Sequence, residues 1–267
     1  FISENEVRKK LPIIILAAIP VLFWMMWIVF PETAIQTIIE DSVAGSHFVV
    51  EAQGLKKGFF YTVDIDALVL KGSRGELISV KDIRSYINPL FVPLFQLRLT
   101  GKGAIGDGNI TGNLTLSRGK IKGVLNFNKV GFGDLHFLKL TGIKGSGTLS
   151  GSVTISESAG HAEFVSRDAV FEETEFLGVK APLNIFHMVT GSLDLRGGVI
   201  EVVSLAFQGE DVYARLKGDI RGNVMDISME LMPGKSYIEN PFVLAGLEAY
   251  KISPGYYIIP VKGNLFL

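Results

Sequence analysis

An eleven-residue pattern of alternating apolar and polar positions occurs twice, as GDGNITGNLTL at 106–116 and GSGTLSGSVTI at 145–155. In both copies Gly, Ile, Leu or Val occupies every second position, and Asp, Asn, Ser or Thr lies between. Alternation with a period of two predicts a β-strand with one apolar and one solvated face. GKIKGVLNF at 119–127 continues the alternation after a short turn, and a weaker copy, GDIRGNV, occupies 218–224. These segments predict neighbouring strands of an antiparallel sheet.

The glycines of these strands fall on the apolar face, although glycine costs backbone entropy there and packs nothing. Two explanations stay open at this stage. Either the missing side chains allow strong curling or leave room for a guest molecule, or the glycines mark a barrel corner that neighbouring side chains fill.

The N-terminal part has a different pattern, because residues 11–30 form a run of twenty residues without a charge, LPIIILAAIPVLFWMMWIVF. A helix of that length spans about 30 Å, the thickness of a bilayer core. We therefore predict a transmembrane helix over 11–30; the competing signal peptide is disfavoured because small residues do not follow at cleavage positions. Basic residues at 8–10 precede the run, so residues 1–10 are expected in the cytoplasm and residues 31–267 outside it.

After the span the periodicity predicts one amphipathic helix and then a long series of strands. Three isoleucines on one helical face indicate a helix at about 34–43, lying near the membrane surface or plugging the open end of the sheet. Short apolar segments closed by Gly or Asp turns predict roughly fourteen to sixteen strands, with short helices near 183–189 and 237–250. The predicted fold class is mainly β: one transmembrane helix, then a curled antiparallel sheet in a single domain over 31–267.

Composition narrows the function classes. The formal charge is −1 and no basic patch is present, so we expect no nucleic-acid partner. The chain has no cysteine, which excludes disulfides, thiolate metal sites and thiol nucleophiles. The first residue is Phe rather than Met, so we expect further sequence before it.

Candidate chemistry is sparse. The stretch 101–106 matches G-x-G-x-x-G, but a strand rather than a helix follows it, so we do not expect a dinucleotide site. Asp64 and Asp66 lack the further oxygen ligands of a calcium loop, and a solvated strand face explains them better. We predict no enzyme activity, no catalytic residue, no metal and no cofactor. The four histidines stand singly in the sequence, and they are His47, His136, His161 and His187.

A long one-sided sheet must cover its apolar face, which costs about 25 cal/mol per Å² when exposed, and the chain has few amphipathic helices. Our first hypothesis is an open groove that shelters lipid acyl chains. The alternative is a closed sheet that serves as a non-enzymatic adaptor and binds partner proteins through its edges. The candidate groove-lining residues are Ile110, Leu114, Leu116, Ile121, Leu125, Leu149, Val153, Ile155, Ala214, Leu216 and Ile220.

The segment GSLDLRGGVIEVVSLAFQGEDVYARLKGDIR at 191–221, the closing GYYIIPVKGNL at 255–265 and a span that ends in Phe-Pro resemble the type II secretion system protein N family (GspN). That family is similar to the AsmA-like proteins of Gram-negative envelopes. The resemblance implies a periplasmic sheet curled into a half-pipe, or β-taco, anchored in the inner membrane. It also implies a phospholipid ligand carried between membranes, and partner proteins of the envelope or of type II secretion. A homo-oligomer stays open as a further partner.

Overall fold

The computed structural model describes residues 18–43, 48–73, 75–136, 138, 144–157, 159–172, 174–176, 179–181, 183–222, 224–235 and 247–264, with the backbone alone at 174–176, 179–181 and 264. Helices α1 (Ala18–Val29) and α2 (Glu32–Asp41) open this part of the chain. Short 3₁₀ helices lie at Pro89–Leu94, Phe132–Asp134, Leu183–Ile185 and Glu248–Tyr250. The strands are β1 (Val49–Gln53), β2 (Lys56–Lys57), β3 (Thr62–Gly72), β4 (Gly75–Ile87), β5 (Leu97–Ile105), β6 (Gly108–Ser117), β7 (Lys120–Gly131), β8 (Gly145–Ser146), β9 (Thr148–Ser156), β10 (Ala159–Ser166), β11 (Val170–Phe171), β12 (Thr174–Phe176), β13 (Val179–Ala181), β14 (Phe186–Arg196), β15 (Val199–Gly209), β16 (Val212–Arg221), β17 (Val224–Pro233), β18 (Lys251–Ser253) and β19 (Tyr256–Asn264).

One antiparallel sheet of fifteen strands dominates the fold, in the order β1-β3-β4-β5-β6-β7-β9-β10-β14-β15-β16-β17-β19-β18, with β2 also paired to β3. Sequence neighbours pair almost throughout, so the sheet is a meander. It is not closed, because β1 and β18 stand at its two ends. The small ladders β8–β11 and β12–β13 belong to two inserts, between β7 and β9 and between β10 and β14. The predicted mainly β fold, with a large antiparallel sheet and few helices, is confirmed.

The repeated pattern forms strands, but each strand is shorter than the pattern predicts. Gly106 has a φ of 55° and lies in the turn between β5 and β6. Gly147 has a φ of 129° and separates β8 from β9, so the first residues of the second copy pair in a different sheet. Glycine adopts such angles without strain, which explains why the leading glycines end strands instead of extending them.

The pairing register aligns the apolar positions into rows that cross the sheet. In one row Leu125 lies opposite Val153, Val153 opposite Ala162, and Ala162 opposite Leu193. The next row toward the α-helices contains Ile155, Gly160, Leu195, Ile200 and Ile220. The opposite face is polar, and one of its rows is Asp64, Arg84, Lys102, Thr111, Asn126, Ser152, Glu163 and Ser192.

The glycines of the apolar face lie under large side chains of neighbouring strands. A Cβ added at Gly191 would overlap the ring of Phe164, and one added at Gly151 would lie 2.9 Å from the ring of Phe127. The space above these glycines is therefore filled by the protein's own side chains. Of the two explanations given above, filling by neighbours holds at these positions, although the sheet is open rather than a barrel.

Helix α2 packs on one end of the strands, with Ile35 and Ile39 buried against Val50 of β1 and Leu116 of β6. The helix predicted at 34–43 thus begins two residues earlier, at Glu32, and plugs the end of the sheet. The side chains of Gln36 and Glu40 also reach the outer edge of β1.

The predicted span over 11–30 lies partly outside the described residues, which begin at 18. Within the described part α1 ends at Val29, and α2 follows at an angle of 78°. No single helix among the described residues is long and apolar enough to cross a bilayer, whereas α1 and α2 together meet that test by length and composition only.

Two further helix predictions change. The helix predicted near 183–189 is a 3₁₀ turn at Leu183–Ile185, after which β14 begins at Phe186. The alternating apolar positions of β14 pair on both sides, which favours a strand over a helix there. Most of the stretch 237–250 lies outside the described residues, and its end forms the 3₁₀ helix Glu248–Tyr250.

Candidate functional site

The apolar face of the sheet is covered at two places. The first cover is the helix cluster, formed by α1 and α2 on β1 and on β3 to β6. Trp27 and Ile35 are almost fully buried there, at 1% and 0% exposed. Val92, from the 3₁₀ helix between β4 and β5, completes the cluster. The helix cluster therefore seals the N-terminal third of the apolar face at one end of its strands.

The second cover is the aromatic cluster, which we define as Phe132, Phe171, Phe186 and Phe207. The ring centroids of Phe132 and Phe171 lie 5.7 Å apart, and those of Phe186 and Phe207 lie 5.5 Å apart. Phe132 and Phe171 come from the two inserts, which fold back over the opposite end of the strands. Aromatic rings at such distances pack favourably beyond the area that they bury.

Between the two covers lies a partly exposed area of apolar side chains, which we call the apolar strip. Leu195 and Ile200 are 42% and 38% exposed, and the other members are partly buried. None of the strip residues, all within the described part of the chain, belongs to the helix cluster or to the aromatic cluster. Leu193 and Ile220, at one side of the strip, also pack against the buried side chains of Val202 and Met225. The apolar strip consists of Leu125, Val153, Ile155, Ala162, Leu193, Leu195, Ile200 and Ile220.

The eleven residues predicted to line a groove share one face but divide among several surroundings. Leu125, Val153, Ile155 and Ile220 lie in the apolar strip. Leu116 is buried in the helix cluster and Ala214 in the aromatic cluster, so neither lines an open surface. The remaining five pack beside buried groups of the same face. Leu114 and Ile121 lie at the helix cluster, Ile110 and Leu149 lie beside Ile105 and Val130, and Leu216 lies beside Val202 and Met225. Leu149 also contacts the aromatic cluster.

Four strip residues were missed from the sequence: Ala162, Leu193, Leu195 and Ile200. Their alternation with polar neighbours has the same period as the repeated pattern, in HAEF at 161–164 and SLDL at 192–195. That parity is the signal in the sequence that indicates membership of the same apolar face.

The polar face carries ion pairs. His161 Nδ1 lies 2.6 Å from Asp194 Oδ1, and His161 Nε2 lies 3.2 Å from Glu163 Oε1. The hydrogen bond to Asp194 and then that to Glu163 raise the pKa of His161 above its usual range. The same hydrogen bond from His161 lowers the pKa of Asp194. Glu163 is two residues from His161 on the same strand, whereas Asp194 lies opposite it on β14 and could not be recognised as a partner from the sequence. His47 lies outside the described residues.

Two shallow depressions also lie on the polar face, with volumes of about 680 and 400 Å³. Both include Asp64, Arg84 and Lys102, and the salt bridge between Arg84 Nε and Asp64 Oδ1 is long, at 3.8 Å, and exposed. Among the residues that the structure describes, no group of three or more His, Asp or Glu side chains is arranged to hold a metal ion.

The fold and the site define a mainly β protein with an open antiparallel sheet whose apolar face is only partly covered. Comparison with models of known protein families, with curated proteins and with solved structures found no match. The resemblance to the type II secretion protein N family therefore stays a prediction, carried by the sequence segments quoted above.

Proposed function

We propose that this chain is a membrane-anchored carrier that shelters lipid acyl chains on the apolar strip. One observation carries the proposal: rows of apolar side chains run from strand to strand, and their central part is left partly exposed between the two covers. Leu195 and Ile200 keep 42% and 38% of their surface accessible in the middle of a sheet. Each CH₂ group that such a surface removes from water contributes about 0.8 kcal/mol.

The size of the strip supports this ligand class. From β7 to β16 the strip crosses five strand spacings, or about 24 Å at roughly 4.8 Å each. One leaflet of a bilayer core is about 15 Å thick, so an acyl chain fits along the strip across the strands. The strip contains two neighbouring rows of apolar side chains. A second acyl chain therefore has room beside the first, as in a phospholipid.

The finer shape belongs to the same proposal. Residues from β1, β3, β4, β5 and β6 all contact one helix cluster, which supports a sheet that curls around α2 into a half-pipe, or β-taco. We propose that residues 11–30 anchor the chain in a bacterial inner membrane, with residues 1–10 in the cytoplasm and the sheet in the periplasm. The resemblance to the GspN and AsmA-like families supports that location and lipid transfer between membranes.

A photo-crosslinking experiment tests lipid binding directly. A small diazirine amino acid replaces Val153, whose side chain lies in the apolar strip, and in a matched variant it replaces Ser152, on the opposite face. We expect crosslinks to phospholipid from position 153 in the membrane-embedded full chain and much weaker ones from position 152. Equal lipid labelling at the two positions would refute a specific role for the strip.

A second candidate function, a non-enzymatic adaptor in a secretion or envelope complex, is favoured by the unequal edges of the sheet. The edge of β1 is blocked, because Gln36 Nε2 donates to the Ala52 carbonyl and the Ala52 N–H donates to Glu40 Oε1, both at 3.4 Å. At the other edge β18 pairs with β19 only at Tyr256 and Tyr257. The rest of β19 has no second partner strand among the described residues, so a partner protein could add a strand there.

The Ile258→Lys variant tests this adaptor role. Its side chain lies on the polar face opposite Glu230, so the fold tolerates a lysine while the edge becomes charged. We expect co-purifying envelope proteins to be lost from this variant and kept by Ser228→Lys, on the interior strand β17. Retention of the same proteins by both variants would argue against strand addition at β19.

A further inference from the structure

Two loops at the helix end of the sheet expose large apolar side chains beside α1. Phe59 and Phe60, between β2 and β3, are 63% and 66% exposed. Leu90, Leu94 and Phe95, between β4 and β5, are 64%, 65% and 69% exposed. We call these five residues the apolar rim. Side chains of this size and exposure at one place are typical of an interaction surface rather than of a solvated loop.

The two loops are held together and against α1. The Ile87 N–H donates to the Tyr61 carbonyl at 2.7 Å, which joins the ends of β3 and β4. Val92 packs in the same buried cluster as Trp27 of α1, and the Trp27 Nε1–H donates to the Gly58 carbonyl at 2.9 Å. Hydrogen bonds and packing therefore hold the apolar rim in place around the point where α1 leaves the sheet.

The position of the apolar rim along α1 indicates what the rim contacts. The Phe59 ring packs edge-on against the Trp24 ring at 5.3 Å, inside the uncharged run 11–30. Trp24 lies six residues before Phe30, which corresponds to about 9 Å along the helix axis. Amphipathic segments bury their apolar side chains to a depth of about 5–10 Å at the boundary of headgroups and acyl chains. The apolar rim would thus lie at the interface of a bilayer that α1 enters.

Two basic side chains next to the apolar rim, Lys57 and Arg98, also suit a membrane interface. Lys57 Nζ donates to the carbonyls of Trp27, Ile28 and Phe30, at 2.8, 2.9 and 2.7 Å, so it occupies the C-terminal end of α1. The Arg98 guanidinium lies 5.5 Å from the ring centre of Phe91, on the exposed side of the second loop. Basic groups above aromatic and aliphatic side chains are typical of segments at an anionic membrane surface.

We propose that the apolar rim inserts into the surface of the bilayer that α1 enters, so that the helix end of the sheet rests on the membrane. Insertion of the rim depends on the membrane attachment proposed above and does not depend on lipid binding by the strip. The rim fixes the direction of the strands relative to the membrane, and the aromatic cluster then lies at the distal end.

Because the chain contains no cysteine, single-cysteine variants carry a fluorescent label at one position each. The full chain is reconstituted in vesicles of phosphatidylethanolamine and phosphatidylglycerol, and the label is quenched either by brominated acyl chains or by aqueous iodide. Leu94→Cys and Phe60→Cys report the rim, and Leu22→Cys, 67% exposed on α1, reports the anchor. Val170→Cys is the matched control, because Val170 is 64% exposed but lies in the insert at the opposite end of the strands.

We expect brominated lipid to quench positions 22, 60 and 94 while iodide does not, and the reverse at position 170. Lipid quenching at 22 together with iodide quenching at 60 and 94 would overturn rim insertion while the anchor stands. Iodide quenching at 22 as well would overturn the membrane attachment and the rim proposal with it. Protection of 60 and 94 from both quenchers would indicate a protein partner or a second copy on the rim, and it would also overturn the proposal.

Discussion

At the scale of single residues, the glycines of the apolar face determine how close neighbouring side chains lie to the backbone. Gly191 is buried, and the ring of Phe164 occupies the space that a Cβ would need. The ring can lie over residue 191 only because this residue has no side chain. At Gly191, and at Gly151 beneath the ring of Phe127, the missing side chain lets an aromatic ring approach the backbone instead of leaving a cavity.

The Gly191→Ala substitution should destabilise the protein by about 1–3 kcal/mol, because the Phe164 ring must move to admit the methyl group. The thermal unfolding midpoint of the full chain in detergent micelles measures the effect. Gly133→Ala is the matched control, since no atom lies within 4 Å of a Cβ placed there, and its midpoint should stay close to that of the wild type. A neutral Gly191→Ala would show that the ring does not occupy the position described.

A partial rescue separates this steric effect from backbone effects. Phe164→Leu in the Gly191→Ala background should recover part of the lost stability, because the smaller side chain leaves room for the new methyl group. Strictly additive losses in the double variant would contradict direct contact between the two residues.

His161 gives the protein a pH dependence with a definite sign. Its pKa is raised above 6.5 by Asp194 and Glu163, so the stability it contributes is complete below pH 6.5 and is lost as the pH rises through its folded pKa. The pKa of Asp194 is lowered below 3.8, so its contribution is lost only as the pH falls through that lower value. The pair is therefore most stabilising between these two pKa values.

An NMR titration of the His161 ring should give a midpoint above that of a free histidine. Asp194→Asn should move the midpoint down, because the first and largest cause of the shift is removed. An unchanged midpoint in that variant would mean that the two side chains do not form this hydrogen bond in solution.

At the scale of elements, Lys57 makes one of the contacts that join the N-terminal helix α1 to the sheet. Lys57 Nζ donates to three carbonyls at the C-terminal end of α1 and lies 5.2 Å from the Trp27 ring centre. Carbonyl groups at a helix C-terminus carry partial negative charge, so a cation there stabilises the helix as well as the contact.

The Lys57→Met variant should therefore lose about 2 kcal/mol of stability, because the aliphatic stem remains while three charged hydrogen bonds disappear. Lys56→Met removes a neighbouring lysine whose salt bridge to Asp66 is long, at 3.9 Å, and highly exposed. Its effect should not exceed about 0.5 kcal/mol. Equal unfolding midpoints for the two variants would contradict a special role for Lys57.

Secondary-structure elements that follow from local alternation of apolar and polar residues could be predicted from the sequence. Features that depend on contacts between residues far apart in the sequence could not. The strands around 110–127 follow from a period of two that any solvated sheet face imposes. Pro31 marks the break between α1 and α2 in the sequence. The angle of 78° at this break could not be predicted, because Ile35 and Ile39 of α2 pack against strands that follow later in the chain. The same is true of β14, where pairing on both sides outweighs a weak helical periodicity.

At the scale of the whole molecule, the parity of the sequence indicated which face is apolar but not which part of it is covered. Leu116 and Val153 have the same alternation, yet the first is buried under α2 and the second lies in the apolar strip. The covers come from the N-terminal helices and from two inserts, and they pack on strands that include distant ones in the sequence, such as β6 under α2 and β16 beside Phe132. Only the three-dimensional arrangement separates a sealed core from a surface that can hold a ligand.

The central claim is that the apolar strip holds lipid. Ala162 and Glu163 are adjacent in β10 and lie on opposite faces, with Ala162 between Val153 and Leu193 on the floor of the strip. A tryptophan at 162 would fill the space of an acyl chain, whereas a tryptophan at 163 would lie on the polar face.

The most direct test counts the phospholipid molecules that stay bound to the purified full chain, by native mass spectrometry of the wild type, Ala162→Trp and Glu163→Trp. We predict at least one bound phospholipid in the wild type and in Glu163→Trp, and its loss from a folded Ala162→Trp. A wild-type chain that is monomeric, stable and free of lipid, or an Ala162→Trp variant that keeps the same lipid, would contradict the account.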